Sequence, residues 1–539
     1  MSLFGRSIVG YRAGVGGAGA FQASEPRTGR KLTPEFLYAT AEEVETAVKL
    51  AHEAFDSYGH LPGREKARFL RAIAANIEAV AEEVIGRAEQ ETALPRARLQ
   101  GETARTCGQL RLFAQLVEEG SWVDARIDRA DAERKPLPKP DVRSLLRSLG
   151  PVAVFAPSNF PLAFSVAGGD TASALAAGSP VIVKAHGAHP GTSELVGQAV
   201  QKSAQECGMP EGVFSLLFGK GTEVGTALVK HPWIKAVGFT GSRAGGRTLM
   251  DLAAARPEPI PVYTEMSSTN PVFILPGALK KNAESIAAGL YGSFTLGAGQ
   301  FCTKPGLVFL PDGADDNTFI SKLQKSVFDS APFTLLSSGI KDSYRGGTEQ
   351  RKTHKGVRVL AEHTSPAGPE FNVGAALFET DAASFLQDGE LEAEIFGPST
   401  LLIRHASREQ LLTAARGLEG HLTATIHGTE RDLEEYRDLI AILEDKVGRL
   451  IFNGFPTGVE VCAAMVHSGP YPATSDGRST SVGTRAIFRF CRAVCYQGFP
   501  DAALPDELKD ANPLGIWRMI DGEISREPVA LPMRVEAGR

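Results

Sequence analysis

Cysteine is scarce, with six residues (Cys107, Cys207, Cys302, Cys462, Cys491 and Cys495) in a chain of 539. No C-x-x-C with a matching partner pair occurs, which excludes a disulfide framework and a structural zinc site and leaves cysteine chemistry to a single reduced thiol. Long apolar runs are missing as well. Nothing approaches the roughly 18 consecutive apolar residues of a membrane span, and the opening MSLFGRSIVGYRAG has no basic region followed by a long apolar core. The sequence therefore reads as cytoplasmic. Charge of one sign is also lacking: 57 Lys and Arg stand against 63 Asp and Glu, a net charge of -6 with no sustained basic run. Nucleic acid and anionic membrane surfaces are not expected as partners. The 11 histidines form neither H-x-x-x-H nor H-E-x-x-H, so no metal is expected.

What is present is the composition of a globular protein, 43% hydrophobic and 22% charged, too long for a single core. From about residue 41 to 118 apolar residues recur at three and four, which predicts helices. Residues 126–147 are charged and interrupted by Pro136, Pro138 and Pro140, which predicts an extended arm. Short apolar runs then alternate with amphipathic stretches: strands at 151–157, 180–185, 213–219 and 234–240, helices near 162–178, 191–207 and 222–230, and one from about 243. That alternation predicts an α/β protein with right-handed crossovers and a parallel sheet. NPVFILP, GLVFLP and STLLIRH continue the pattern into a second α/β domain, and residues 500–539 lack periodicity.

Gly14-Val15-Gly16-Gly17-Ala18-Gly19 matches G-x-G-x-x-G letter for letter, but no strand precedes it and no helix follows, so it reads as a flexible leader loop. Gly238-Phe239-Thr240-Gly241-Ser242 has the better context, directly after the strand IKAV and opening a helix, where free N–H groups receive phosphate. Its alternative is a capped helix without a ligand. Cys302 lies in Gly299-Gln300-Phe301-Cys302-Thr303-Lys304-Pro305, a setting of small and turn-forming residues that suits a nucleophile. A lone cysteine in the abstract is more often a small buried hydrophobe.

Its company changes that reading. Asn159 precedes Phe160-Pro161-Leu162, Lys184 ends Val181-Ile182-Val183, Glu265 precedes Met266-Ser267-Ser268-Thr269-Asn270-Pro271, and Glu394 and Phe396 stand in Glu394-Ile395-Phe396-Gly397-Pro398. In order and context these motifs resemble the aldehyde dehydrogenase superfamily over roughly residues 35 to 500. Three departures stand out: Ser158 where the family commonly has Trp, Ser267-Ser268 where it has Gly-Gly, and Gly187 where a glutamate follows the lysine by three. With HPGTSELV and VHSGPYPATSD, they resemble the branch of 2,5-dioxovalerate (α-ketoglutaric semialdehyde) dehydrogenases and NADP-preferring fatty aldehyde dehydrogenases.

The resemblance implies a Rossmann-type NAD(P)-binding domain from 1–125 and 150–275 and a catalytic domain from 276–483. It further implies an oligomerisation arm from 126–149 and 484–500, a C-terminal extension from 501–539, and a homo-oligomer, dimer or tetramer. Cys302 is then the nucleophile and Glu265 the base that deprotonates the hydrolytic water. The oxyanion falls to Asn159 and the Cys302 N–H, and NADP or NAD to Lys184, Gly241, Ser242, Glu394 and Phe396. Without Glu at position 187 nothing repels a 2'-phosphate, so NADP is expected to serve at least as well as NAD.

The substrate is expected to be a small aldehyde, 2,5-dioxovalerate oxidised to 2-oxoglutarate. Glu102, Arg105 and Gln109 share one helix face, which makes Arg105 the expected partner of a substrate carboxylate. Phe160, Phe164 and Phe301 suit an apolar aldehyde equally well, and His467 reads as a second base, a substrate contact or a structural histidine. A medium- or long-chain fatty aldehyde is the alternative substrate, and a cysteine hydrolase or acyltransferase without nicotinamide is the alternative from another class.

Overall fold

A computed structural model describes residues 2–313, 317–364 and 370–529. Four helices open the chain after a short leader: Ala41–Tyr58, Gly63–Ala79, Ala81–Thr92 and Arg96–Glu119. The first is closed by a capping box in which Thr40 and Glu43 exchange side-chain and backbone hydrogen bonds. The last ends at Gly120, whose φ of 87° is the left-handed stop that glycine tolerates best.

The first large sheet holds seven strands. Five are parallel, in the spatial order Val262–Glu265, Ala236–Thr240, Val152–Phe155, Val181–Lys184 and Phe214–Leu217. VAVF and FSLL are buried at every position, as strands covered on both faces must be. The chain starts at Val152–Phe155, moves outward to Phe214–Leu217, then crosses back to Ala236–Thr240 on the other side. That reversal opens a crevice at the carboxyl ends of Val152–Phe155 and Ala236–Thr240, the usual ligand position in an open parallel sheet. An antiparallel hairpin, Ile8–Val9 with Arg12–Ala13, finishes the far edge.

A second seven-stranded sheet runs in the order Arg358–Glu362, Ala376–Asp381, Ser399–His405, Leu307–Pro311, Val272–Ile274, His421–His427 and Val447–Phe452. Its strand Val272–Ile274 precedes residue 276, so chain passes between the two sheets within 266–271. The third sheet, of five strands, joins Cys491–Gln497, Val142–Ser148, Arg126–Asp128, Arg518–Ile520 and Glu523–Ser525. Part of the expected C-terminal extension therefore belongs to the arm's sheet, and Leu504, Leu508, Ile516 and Val529 pack with Val123, Ile127 and Leu145 in its core. Residues 530–539 lie outside the described residues.

Two local expectations are corrected. The helix expected at 162–178 begins only at Gly169, and the Leu162 and Ala163 N–H groups ahead of it donate to the buried Glu102 carboxylate. The glycine-rich leader is not loose: Val15 and Gly16 donate to Glu43, the residue that also caps the first helix. Among the described residues no helix is long and apolar enough to cross a membrane.

Candidate active site

The carboxyl ends of the first sheet deliver the expected residues to one place. Asn159 follows the strand Val152–Phe155, Lys184 ends the next, Gly241 and Ser242 follow Ala236–Thr240, and Glu265 ends Val262–Glu265. Cys302 arrives from the second sheet's side on a distorted turn in which Gly297, Ala298 and Gly299 all have positive φ, 57°, 59° and 68°. For Ala298 that conformation costs about 1–2 kcal/mol, so the turn must be held from outside.

It is held by the other motifs. A side chain at Gly299 would lie 2.2 Å from the Gly397 carbonyl, so the Cys302 turn and the Glu394 loop pack backbone against backbone. Gln300 accepts from the Leu336 N–H at 3.0 Å and donates to the Gly297 carbonyl at 3.1 Å. Asn270 donates to the carbonyls of Cys302 and Lys304 at 2.9 and 3.0 Å. Buried Lys304 donates to the carbonyls of Ile395 and Ser399. The ordered sequence motifs are thus one interlocked structure.

At its centre Glu265, Cys302 and His467 bring a carboxylate oxygen, the sulfur and a ring nitrogen within 4.8 Å of one another. His467 Nε2 stands 3.0 Å from Glu265 Oε1 and 3.5 Å from Cys302 Sγ, and Ser481 Oγ donates to Glu265 Oε2 at 2.8 Å. Burial pushes the Glu265 carboxyl upward, but His467, Ser481 and the Cys302 thiol together outweigh it and hold it below the ordinary carboxylate value. Burial and the adjoining Glu265 push the Cys302 thiol well above its ordinary value. Cys302 therefore rests as a thiol with an ionised Glu265 carboxylate beside it.

Asn159 donates its side-chain amide to the Gln300 carbonyl at 3.0 Å, two residues before the nucleophile, and its second amide hydrogen remains for an oxyanion. Arg98, which the sequence reading passed over, donates to the Asn159 carbonyl at 2.8 Å and lies 5.1 and 4.7 Å from the ring centroids of Phe160 and Phe301. It clamps the Asn159 carbonyl and both rings at once. Arg98, Glu102 and Arg105 stand at intervals of four and three, the helical spacing that makes Arg98 legible in retrospect. Ser481 had no such signal, nor had Arg449, whose guanidinium acts on the Cys302 sulfur from the strand Val447–Phe452.

Arg105 reaches into the same region. Nη1 donates to the Val459 carbonyl at 2.7 Å, the guanidinium lies 5.4 Å from the Phe164 ring centroid, and Nε and Nη2 are buried without a partner among the described residues. Glu102 and Gln109 are buried as well, so this helix face is not a solvated one. Phe160 makes edge contacts with Phe164 and Phe301, forming an aromatic wall.

On the cofactor side Lys184 meets no hydrogen-bond or ion-pair partner among the described residues, and burial lowers its ammonium to about 8. A side chain at Gly187 would meet only the Phe21 ring, 3.7 Å away. Ser242 caps the helix Arg243–Ala254 by accepting from Gly245 N–H, and Gly241 packs under the Phe239 ring. Arg243 is occupied by Glu419 at 2.8 Å. Glu394 is raised to about 7, burial outweighing the opposing pull of Lys304, the Ser267 hydroxyl and the Ser268 N–H; Phe396 follows on the same half-buried loop.

A single unpartnered cation beside a glycine, with free helix N–H groups nearby, fits a dinucleotide phosphate or ribose. The chain is 50% identical to alpha-ketoglutaric semialdehyde dehydrogenase 2 of Azospirillum brasilense, over 97% of this chain and 100% of that protein. It is 47% identical to alpha-ketoglutaric semialdehyde dehydrogenase of Acinetobacter baylyi, over 91% and 93%. Among solved structures it superposes on lactaldehyde dehydrogenase from Escherichia coli with a TM-score of 0.79 at 20% identity, covering 91% and 98% of the chains. A 1-pyrroline-5-carboxylate dehydrogenase from Thermus with bound NAD gives 0.77 at 21%, over 91% and 92%. The model of the aldehyde dehydrogenase family matches residues 16–469, and the chain belongs to that family.

Proposed function

We propose that this enzyme oxidises 2,5-dioxovalerate to 2-oxoglutarate, using NADP or NAD. The observation that carries the substrate is Arg105, whose buried Nε and Nη2 form a side-on fork with nothing to bind among the described residues. A buried guanidinium edge left unpartnered is costly, and a substrate carboxylate repairs it with two parallel charge-assisted bonds. The names of the two relatives at 50% and 47% identity agree. The Phe160–Phe164–Phe301 wall favours the second reading, a medium- or long-chain aldehyde.

Glu265 takes the Cys302 proton as sulfur attacks the aldehyde carbon. Asn159 and the Cys302 N–H receive the oxyanion, worth about 3–4 kcal/mol per donor in comparable acyl chemistry. When bound, the nicotinamide supplies the hydride acceptor. Once the proton from Cys302 has passed to solvent, Glu265 deprotonates the water that opens the thioester, the Cys302 sulfur leaves as thiolate and is reprotonated, and His467 keeps the Glu265 carboxylate aligned. Lys184, Gly241, Ser242, Glu394 and Phe396 are proposed to hold the dinucleotide. Two strands, Cys491–Gln497 and Val447–Phe452, end their sheets with unpaired edges, and Leu450 and Phe452 are exposed on the second. We assign these edges to pairing between subunits of a homo-oligomer.

The test compares kcat/KM of the wild type on 2,5-dioxovalerate and on hexanal, each with NADP and with NAD. Higher efficiency on hexanal overturns the oxo-acid reading. Turnover by Cys302→Ala, in a variant that still binds NADP, overturns the nucleophile.

A further inference from the structure

We propose that Cys302, His467 and Glu265 also form a capture site for a thiophilic divalent cation of the zinc type, which takes the nucleophile out of use reversibly. The argument is one of spacing. Zinc binds thiolate sulfur at about 2.3 Å and imidazole nitrogen or carboxylate oxygen at about 2.0–2.2 Å. Tetrahedral angles then separate sulfur from nitrogen by about 3.6 Å and nitrogen from oxygen by about 3.4 Å. The observed separations are 3.5 Å for Cys302 Sγ to His467 Nε2 and 3.0 Å for His467 Nε2 to Glu265 Oε1. All three donor atoms fall within 4.8 Å of one another. Small side-chain movements complete three corners of the tetrahedron.

Orientation and charge agree with spacing. Ser481 occupies Glu265 Oε2 and so turns Oε1 toward the other two donors, the role of an outer partner at a metal site. A thiolate beside a buried carboxylate is a repulsive pair whose two charges a dication between them neutralises, against the guanidinium groups of Arg105 and Arg449, which also act on Cys302. Sulfur, nitrogen and a single carboxylate oxygen are ligands of zinc rather than of magnesium or calcium. Three protein ligands leave the fourth position to water. On binding, the Cys302 thiol loses its proton to solvent, and the proton through which His467 Nε2 donates to Glu265 moves to Nδ1, which has no partner among the described residues, so that Nε2 offers its lone pair. One proton is released per cation, and affinity rises with pH. Nothing is oxidised, and chelation restores the thiol.

The proposal rests on these three side chains alone, so its failure leaves aldehyde oxidation untouched. The test uses the full chain without dinucleotide, titrated with zinc by equilibrium dialysis and with cobalt as a spectroscopic substitute. The wild type should bind one zinc per chain, and cobalt should show thiolate-to-metal charge transfer with the visible bands of a tetrahedral ion. Zinc should slow iodoacetamide alkylation of Cys302 at least ~tenfold, reversed by EDTA. Cys302→Ala should lose this zinc, and His467→Asn should bind it at least ~tenfold more weakly, with circular dichroism and NADP binding certifying that both variants are folded. Unchanged stoichiometry in Cys302→Ala places the metal elsewhere and overturns the proposal. So does a His467→Asn affinity within twofold of wild type, or a cobalt spectrum without the charge-transfer band.

Discussion

Replacing Arg105 by alanine removes a guanidinium with one donor committed to the Val459 carbonyl and two, Nε and Nη2, buried without partners. If those two meet the substrate carboxylate, each charge-assisted bond contributes about 1.5–3 kcal/mol. The loss for 2,5-dioxovalerate is then about 3–6 kcal/mol, on the order of 10² to 10⁴-fold in kcat/KM. Hexanal has no carboxylate and loses only the contact of the guanidinium with Phe164, about 0.5–1 kcal/mol or two- to fivefold. Arg105 also favours the Cys302 thiolate, but that effect is common to both aldehydes and cancels in their ratio. The selectivity ratio should therefore fall by at least ~30-fold. Initial rates of NADPH formation at saturating cofactor measure it, with thermal melts to confirm the fold. A ratio that stays within threefold of wild type refutes the assignment of Arg105 and its reasoning.

Glu265→Gln should leave a burst of reduced cofactor in rapid mixing while steady-state turnover falls about 10² to 10⁴-fold; loss of the burst at an unchanged steady rate contradicts its role in deacylation. His467→Asn removes a partner that holds Glu265 low against burial, so the carboxylate titrates higher and the acid limb of kcat moves to higher pH, which a pH–rate profile will show or deny. Gly187→Glu places a carboxylate near the unpartnered Lys184 ammonium and should cut kcat/KM for NADP at least ~tenfold while sparing NAD; equal losses with both would remove this loop from cofactor choice. Arg98→Lys keeps charge but loses the planar fork between Asn159 and the Phe160 and Phe301 rings. About tenfold should come off kcat with KM little changed, and a pure KM effect would instead make Arg98 a substrate contact.

The strand-and-helix alternation was legible because continuous apolar runs such as VAVF and FSLL have no other stable use than a sheet covered on both faces. Motif order singled out Cys302, Glu265 and Asn159, which the fold brings to one place. Arg98 was half visible, on the face shared by Glu102 and Arg105. Ser481 was invisible, since it meets Glu265 across 216 positions of chain and nothing near it marks the contact. The turn of chain ahead of Gly169 was equally invisible, since the Glu102 carboxylate that receives the Leu162 N–H lies some 60 positions earlier.

By itself the sequence determined the α/β class and the openness of the position three after Lys184, and it singled out Cys302 and Glu265 as the proposed nucleophile and base, because each depends on residue type and local order. Only the tertiary structure decided that His467 touches both Cys302 and Glu265, that Arg105 holds two donors in reserve, and that Arg518–Ile520 completes the arm's sheet. The reason is physical. Periodicity and turn chemistry act over a few residues, whereas the ionisation of a buried group depends on everything packed around it, however distant along the chain.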